Sequence, residues 1–298
     1  MTDPLLECVP NVSEGRDPRA IEAIAQAVRA VPGARLADVH ADPDHNRSVF
    51  TFLGSPRAVE EAAVALATAV LARVDMREHH GIHPRLGALD VLPFVPLRDL
   101  AMDDAVAVAR RVGERFGREH GVPVYFYGAA AARPERRAIR DIRRGEYEGL
   151  AVRLADPAWC PDCGPAKFHP RGGAIAVGAR DILVAYNVWL DTRDLNAARD
   201  IASAVRESSG GLPCVQALGL PLERRGLVQV SMNLLDYRRT SIARAYDAVS
   251  AEAMRRGVAI KRAELVGLAP RAAFGGRAPE TVGLPDLPAT AYLETYLL

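Results

Sequence analysis

The sequence predicts an α/β (α+β) chain built from two β-α-β-β-α-β units, and three observations predict it. Short apolar runs of strand length alternate with longer amphipathic runs, in the same order in both halves of the chain. Helix openings carry a capping residue followed by proline, at Asp17-Pro18 and Ser55-Pro56, and helix ends carry glycine. A chain of 298 residues, 49% hydrophobic and 25% charged, is of ordinary globular composition and long enough for two modest domains.

Each element follows from its local pattern. Leu5 to Val9 is short and apolar enough for a buried strand. The helix opened by Asp17-Pro18 runs to Val31, places Ile21, Ile24, Ala25 and Val28 on one face, and stops at Pro32-Gly33. Strands at Arg35–Val39 and Ser48–Phe52 flank a polar loop. The helix opened by Ser55-Pro56 continues to Val74 with Val59, Ala62, Ala63, Leu66 and Val70 inward, and Ala88 to Val95 is the fourth strand. In the second half, Ile182–Leu190, Cys214–Leu220, Leu227–Leu234 and Val258–Leu265 are expected strands. Asp194–Glu207 and Thr240–Arg256 are the expected helices between them, ended by Gly210-Gly211 and Gly257. Two such units make ferredoxin-like subdomains, with helices on one face of each sheet. Between them lie a helix from Asp103 to His120, a strand from Val122 to Tyr127 and an Arg-rich helical stretch from Arg133 to Arg144. A Gly- and Pro-punctuated loop, Asp156 to Gly173, follows, and the expected subdomains are residues 1–178 and 179–298.

Charge and cysteine content exclude several functions. With 38 basic against 37 acidic side chains the net charge is +1, so no nucleic acid and no anionic membrane is an expected partner. The first twenty residues hold no apolar core of signal-peptide length, and no apolar run is long enough to cross a membrane. Four cysteines are too few for a disulfide framework in a chain this long. The expected location is cytoplasmic.

Three of the seven histidines cluster in His79-His80-Gly81-Ile82-His83-Pro84-Arg85. His79 and His83 have the four-residue spacing of zinc ligands on a helix, but Gly81 and Pro84 disfavour a helix there. A histidine held between Gly81 and Pro84 instead suits a positioned proton carrier, and its bland alternative is a ring bonded to a backbone carbonyl. Cys160-Pro161-Asp162-Cys163 has redox-motif spacing, yet it lies in an irregular loop and not at a helix start. The segment Gly164 to Gly173 matches neither the phosphate-loop nor the dinucleotide pattern. It offers close backbone approach, Lys167 (one of only two lysines), Arg171, and Phe168 for stacking, which suit a planar anionic heterocycle. A solvated loop is the other reading. Arg47 and Arg85 can grip a dicarboxylate by paired hydrogen bonds, or serve as surface ion pairs.

Taken together, these stretches resemble the formiminotransferase family, the glutamate formimidoyltransferases of histidine breakdown. The resemblance rests on Glu7-Cys8-Val9-Pro10-Asn11-Val12-Ser13-Glu14-Gly15, on Asn46-Arg47-Ser48-Val49, and on His83-Pro84-Arg85-Leu86-Gly87-Ala88-Leu89-Asp90-Val91. Gly145-Glu146-Tyr147-Glu148, Asn233-Leu234-Leu235-Asp236 and Val266-Gly267-Leu268 with Pro270 also match, so that it spans residues 7 to 270 in the family's order. It implies two formiminotransferase subdomains with a ligand groove between them, a homodimer, and tetrahydrofolate as co-substrate with no metal. The family's catalytic histidine falls on His83. Its folate-binding segment falls on Gly164, Pro165, Ala166, Lys167, Phe168, His169, Pro170, Arg171, Gly172 and Gly173. Arg47, Arg85, Asn11 and Asp38 are the expected substrate-binding side chains.

There are departures. The family's Asp-x-Asp pattern beginning at Asp38 has His40 at its second position, and an aromatic position of the folate segment is Gly172. The cyclodeaminase domain of animal members is not expected. The implied reaction moves a formimino group from N-formimino-L-glutamate to N5 of tetrahydrofolate, with His83 as base and then acid. Two other readings are a metal-dependent hydrolase using His45, His79 and His83, and a folate-binding or folate-salvage protein without transferase activity.

Overall fold

The computed structural model describes residues 3–297, which divide into two compact units between Arg180 and Asp181. In the first unit β1 (Leu5–Cys8) and β2 (Asn11–Val12) are two pieces of one strand, broken at Val9-Pro10. They are followed by α1 (Pro18–Arg29), β3 (Ala34–Asp42), β4 (Arg47–Gly54), α2 (Pro56–Arg73) and β5 (Leu89–Arg98). The Asp17 carboxylate accepts from Arg19 N at 2.8 Å and Ser55 Oγ accepts from Ala58 N at 3.3 Å, so both expected caps form. Strand order β3-β4-β1/β2-β5, all antiparallel, is the ferredoxin-like arrangement.

That sheet does not stop at β5. It continues through α3 (Met102–His120) and β6 (Val124–Gly128) to β7 (Ile175–Ala179), which inserts between β5 and β6 in parallel with both. The sheet therefore has seven strands. The elements expected as a bridge are part of the first unit, and β7 is a strand that the periodicity did not predict. Its sequence, Ile-Ala-Val-Gly-Ala, is short and small-residued, and it is fully buried as parallel strands are. The Arg-rich stretch is not one helix either. Pro134 opens a 3-10 turn over Pro134–Arg136, α4 spans only Ile139–Ile142, and Gly145, at φ +83°, resets the chain into α5 (Glu146–Leu154).

Helices α1, α2 and α3 cover one face, packing Ile24, Val28, Leu66, Val70, Val108 and Val112 on Leu6, Phe50, Phe52, Leu92 and Phe94. On the other face, α4 and α5 bring Ile142, Leu150 and Leu154 onto Val91, Tyr125, Tyr127 and Ala176, over the β5-β7-β6 half. The β3-β4-β1/β2 half of that face carries polar groups. Register pairs Asn11 with Val49, His40 with Val49, Asp38 with Thr51 and Asp42 with Arg47, and directly paired residues share a face.

The second unit repeats the pattern with β8 (Val184–Leu190), α6 (Leu195–Val205), β9 (Val215–Leu222), β10 (Leu227–Leu234), α7 (Ile242–Arg255) and β11 (Ile260–Val266). Its antiparallel order is β11-β8-β10-β9. Tyr186, Val188, Val230 and Met232 meet Ile201, Val205, Ile242 and Val249 in its core. Among the described residues no helix is long and apolar enough to cross a membrane.

Candidate active site

Three loops of the first unit converge at the β3–β4 turn. Asn46, at the turn, holds a left-handed backbone with φ +49°, a conformation that Asn tolerates better than most side chains. Its Oδ1 accepts from Gly15 N at 3.0 Å, fixing the loop before α1. Its Nδ2 donates to His80 O at 3.1 Å, and its backbone carbonyl accepts from His79 Nε2 at 2.9 Å, fixing the loop between α2 and β5. Gly81 passes so close to this turn that a Cβ there would lie 2.4 Å from the His45 carbonyl oxygen.

His83 is half-buried in that loop. Its Nδ1 lies 2.8 Å from the Pro84 carbonyl oxygen, which can only accept, so the Nδ1 hydrogen is directed there and Nε2 is left with its lone pair. Burial, aided by the positive charges of Arg47 and Arg143 and by the His45 ring, holds the imidazole well below its ordinary range. The His45 ring centroid is 5.9 Å away. His83 is thus a neutral proton acceptor at neutral pH.

Arg47 opens β4. Its Nε is buried without a hydrogen-bond partner among the described residues, and burial together with Arg143 pulls its pKa down to about 10 while Asp90 and Asp42 resist. It remains charged at neutral pH. Arg85 differs. Its Nη1 donates to Glu146 at 3.0 Å and Glu148 at 2.8 Å, its Nη2 to Glu148 at 2.5 Å, and its Nε to His79 Nδ1 at 3.3 Å. Arg85, Glu146 and Glu148 border an open cleft of about 470 Å³ with His80, Gly81 and Gly145. With Asn46 on Nε2 and Arg85 on Nδ1, both nitrogens of His79 are committed, and neither is left for a metal. Among the described residues no group of three or more His, Cys, Asp or Glu is arranged to hold a metal ion. Asn11 is buried with Nδ2 donating to Val9 O at 3.0 Å, and Asp38 is half-buried on the same sheet face as Arg47.

The segment 164–173 is anchored at its far end and exposed at its start. Gly164, Pro165, Ala166 and Lys167 are exposed. Phe168 is half-buried with its ring 5.3 Å from that of Tyr147, whose hydroxyl donates to Pro170 O at 2.6 Å. His169 Nδ1 accepts from Gly172 N at 2.8 Å. Gly172 O accepts from Ala88 N at 3.0 Å, and Gly173 pairs with Gly87, which ties the segment to the loop bearing His83. Arg171 donates to Leu71 O and Ala72 O at 3.0 Å each, capping the carboxyl end of α2.

The Cys-x-x-Cys motif is part of the scaffold. Asp162 accepts from Phe126 N at 2.8 Å and from the fully buried Arg136 at 2.6 Å, while Arg136 also donates to Cys160 O at 2.8 Å. All four cysteines are free thiols, and burial pushes Cys163 up to about 11, the opposite of what a redox thiolate needs.

Three residues of this region were given no role from the sequence: Glu7, Asp90 and Arg143. Glu7 and Asp90 did leave a signal, since each is a charge inside an apolar strand pattern and both are buried. Arg143 left none, because its pairing with Asp90 depends on a segment brought to β5 only by the fold.

The α+β fold and a site that gathers His83, His45 and Arg47 set the chain among α+β enzymes, and comparison with known proteins gives the class: it is a transferase. The first unit matches the family model "Formiminotransferase domain, N-terminal subdomain" over residues 5–180, and the second matches "Formiminotransferase domain" over residues 185–278. The chain is 42% identical over 270 residues to a glutamate formimidoyltransferase of Streptococcus pyogenes serotype M1, covering 91% of this chain and 90% of that one. It is 45% identical over 272 residues to a glutamate formimidoyltransferase of Thermoplasma acidophilum, covering 91% and 89%. It is also 44% identical over 272 residues to the formimidoyltransferase-cyclodeaminase of Rattus norvegicus, covering 89% of this chain and 50% of that one. The chain belongs to the formiminotransferase family and is a transferase.

Proposed function

We propose that this transferase moves the formimino group of N-formimino-L-glutamate to N5 of tetrahydrofolate, releasing L-glutamate and 5-formiminotetrahydrofolate. The observation that carries the mechanism is His83, a neutral imidazole with its Nδ1 hydrogen on the Pro84 carbonyl and its Nε2 lone pair uncommitted.

At neutral pH the donor is an amidinium, so attack by N5 on its carbon gives an uncharged tetrahedral adduct, apart from the proton that N5 must lose. His83 Nε2 takes that proton. The resulting imidazolium gives it to the glutamate nitrogen, the carbon–nitrogen bond to glutamate breaks, and the imidazole is neutral again. The low basicity of His83 makes the second transfer favourable. Arg47 holds a glutamate carboxylate, with Asn11 and Asp38 on the same sheet face as further polar contacts. Arg85 serves the substrate through the cleft it borders, and gives up part of its bonding to Glu146 and Glu148 to do so. Segment 164–173 takes the folate, Phe168 against the pterin and Lys167 towards its acidic tail. Holding both substrates together supplies much of the remaining acceleration.

The test is to mix the protein with both substrates and follow 5-formiminotetrahydrofolate. His83→Ala is expected to lower kcat by about 100-fold or more while tetrahydrofolate still binds. Near-normal turnover of that variant would remove His83 from the chemistry. Turnover abolished by chelation would favour the hydrolase reading, and folate binding without product the salvage reading.

A further inference from the structure

Tyr147 stands half-buried in the first turn of α5 and holds two loops at once. Its backbone N–H donates to the Arg85 carbonyl at 3.0 Å, two residues beyond His83. Its hydroxyl donates to the Pro170 carbonyl at 2.6 Å. Its ring lies 5.3 Å from that of Phe168 with 46° between their planes, within the range of a favourable aromatic pair. The residues on either side hold Arg85 by its guanidinium, which donates to Glu146 at 3.0 Å and to Glu148 at 2.5 Å. The run 146–148 therefore grips Arg85 by main chain and side chain, and reaches Phe168 and Pro170 with the Tyr147 side chain. The turn that permits this is uncommon. Gly145 and Glu146 both have positive φ, +83° and +54°, and a glutamate in that region is disfavoured by its Cβ. Such a conformation persists where surrounding contacts hold it, as the bonds to Arg85 do here.

The rest of segment 164–173 is placed by other contacts. Arg171, Gly172 and Gly173 tie its end to α2 and to the chain leading into β5, and its first four residues are exposed. Phe168 to Pro170 lie between, and Tyr147 registers them against the loop of His83 and Arg85. Resting on the proposed function, in which Phe168 meets the pterin, we infer that Tyr147 is a positioning residue that sets the folate acceptor against the formimino donor. Its hydroxyl is spent on Pro170, and its part in the reaction is geometric. Transfer between two bound molecules depends steeply on the gap between N5 and the amidinium carbon. A shift of one loop against the other is therefore felt in the chemical step more than in the binding of either substrate.

The test separates those two effects. Tyr147→Phe keeps the ring and the backbone N–H and removes only the bond to Pro170. With both substrates saturating, its single-turnover rate of formimino transfer is expected to fall about tenfold, while the Kd values of tetrahydrofolate and L-glutamate by calorimetry stay within about twofold. Tyr147→Ala, which also loses the ring, is expected to be slower still; should it fail to fold, Tyr147→Phe carries the test by itself. A folded Tyr147→Phe with an unchanged single-turnover rate overturns the inference, whether its melting temperature falls, which would make the contact purely structural, or its tetrahydrofolate Kd rises, which would make the hydroxyl a folate contact. Wild-type protein that forms no 5-formiminotetrahydrofolate removes the proposed function and the inference with it, whereas an active wild type beside an unimpaired Tyr147→Phe removes the inference alone.

Discussion

Arg47 and Arg85 are the same side chain in two different states, and the difference lies in what already surrounds them. Arg47 has a buried Nε with no partner among the described residues, whereas Arg85 spends its donors on Glu146, Glu148 and His79. Arg47→Met is accordingly expected to raise KM for formiminoglutamate by about tenfold or more, the worth of a charged hydrogen bond, with a smaller effect on kcat. Arg85→Met is expected to show up first in thermal melts, as a loss of about 1 kcal/mol, because Glu146 and Glu148 are well exposed and solvent weakens their hold. Initial-rate kinetics and melting of the two variants side by side check the contrast. A dicarboxylate grip by both arginines was legible in the sequence as a possibility. Their unequal commitments were not, since Glu146 and Glu148 lie sixty residues away in the chain and reach Arg85 only through α5.

Among the elements, those defined by local chemistry were the legible ones. Capping at Asp17 and Ser55, the apolar stripes of α1 and α2, and the strand Leu227–Leu234 stand in the structure much as their residues predict. The losses fall where tertiary packing overrides local pattern. Strand β7 is five small and branched residues that read as loop until β5 and β6 close on them. The Arg-rich stretch reads as helix by propensity, yet burying Arg136 on Asp162 and turning at Gly145 divide it. The loop between α2 and β5 belongs to this second kind, and Asn46 is its fixing point. Asn46→Ala loses two side-chain hydrogen bonds and places alanine at φ +49°, so a destabilisation of about 2–3 kcal/mol is expected in denaturant unfolding. Asn46→Gly, which keeps the backbone conformation, should lose less.

On the scale of the whole molecule, stability carries a pH signature from Glu7. Its carboxyl is buried in β1, and burial raises it to about 7 against the opposing pull of Arg180. A carboxyl raised on folding contributes stability that is fully present below its ordinary value of 4.5 and is lost as pH rises through about 7. The loss across that window is about 3 kcal/mol at most. Melting temperatures are therefore expected to fall from pH 5 to pH 8, and Glu7→Gln is expected to flatten that slope, with its largest advantage at the alkaline end. An unchanged slope in Glu7→Gln would assign the pH dependence to other groups. This charge inside an apolar run was visible in the sequence, but nothing there distinguished a buried carboxyl from one at an exposed edge.

Strand β5 is shared by two motifs, as the last strand of the ferredoxin-like unit and the first of the parallel β5-β7-β6 extension. Consequently the first ferredoxin-like unit is not a separable module, although its elements are complete by residue 98. A fragment ending there would leave β5 as a naked edge, with its backbone donors and acceptors unpaired on one side and Val91 uncovered by α4 and α5. Such an edge invites pairing with another chain, so proteolysis or truncation between β5 and β6 should give aggregates, and the smallest soluble piece of this half should run through β7.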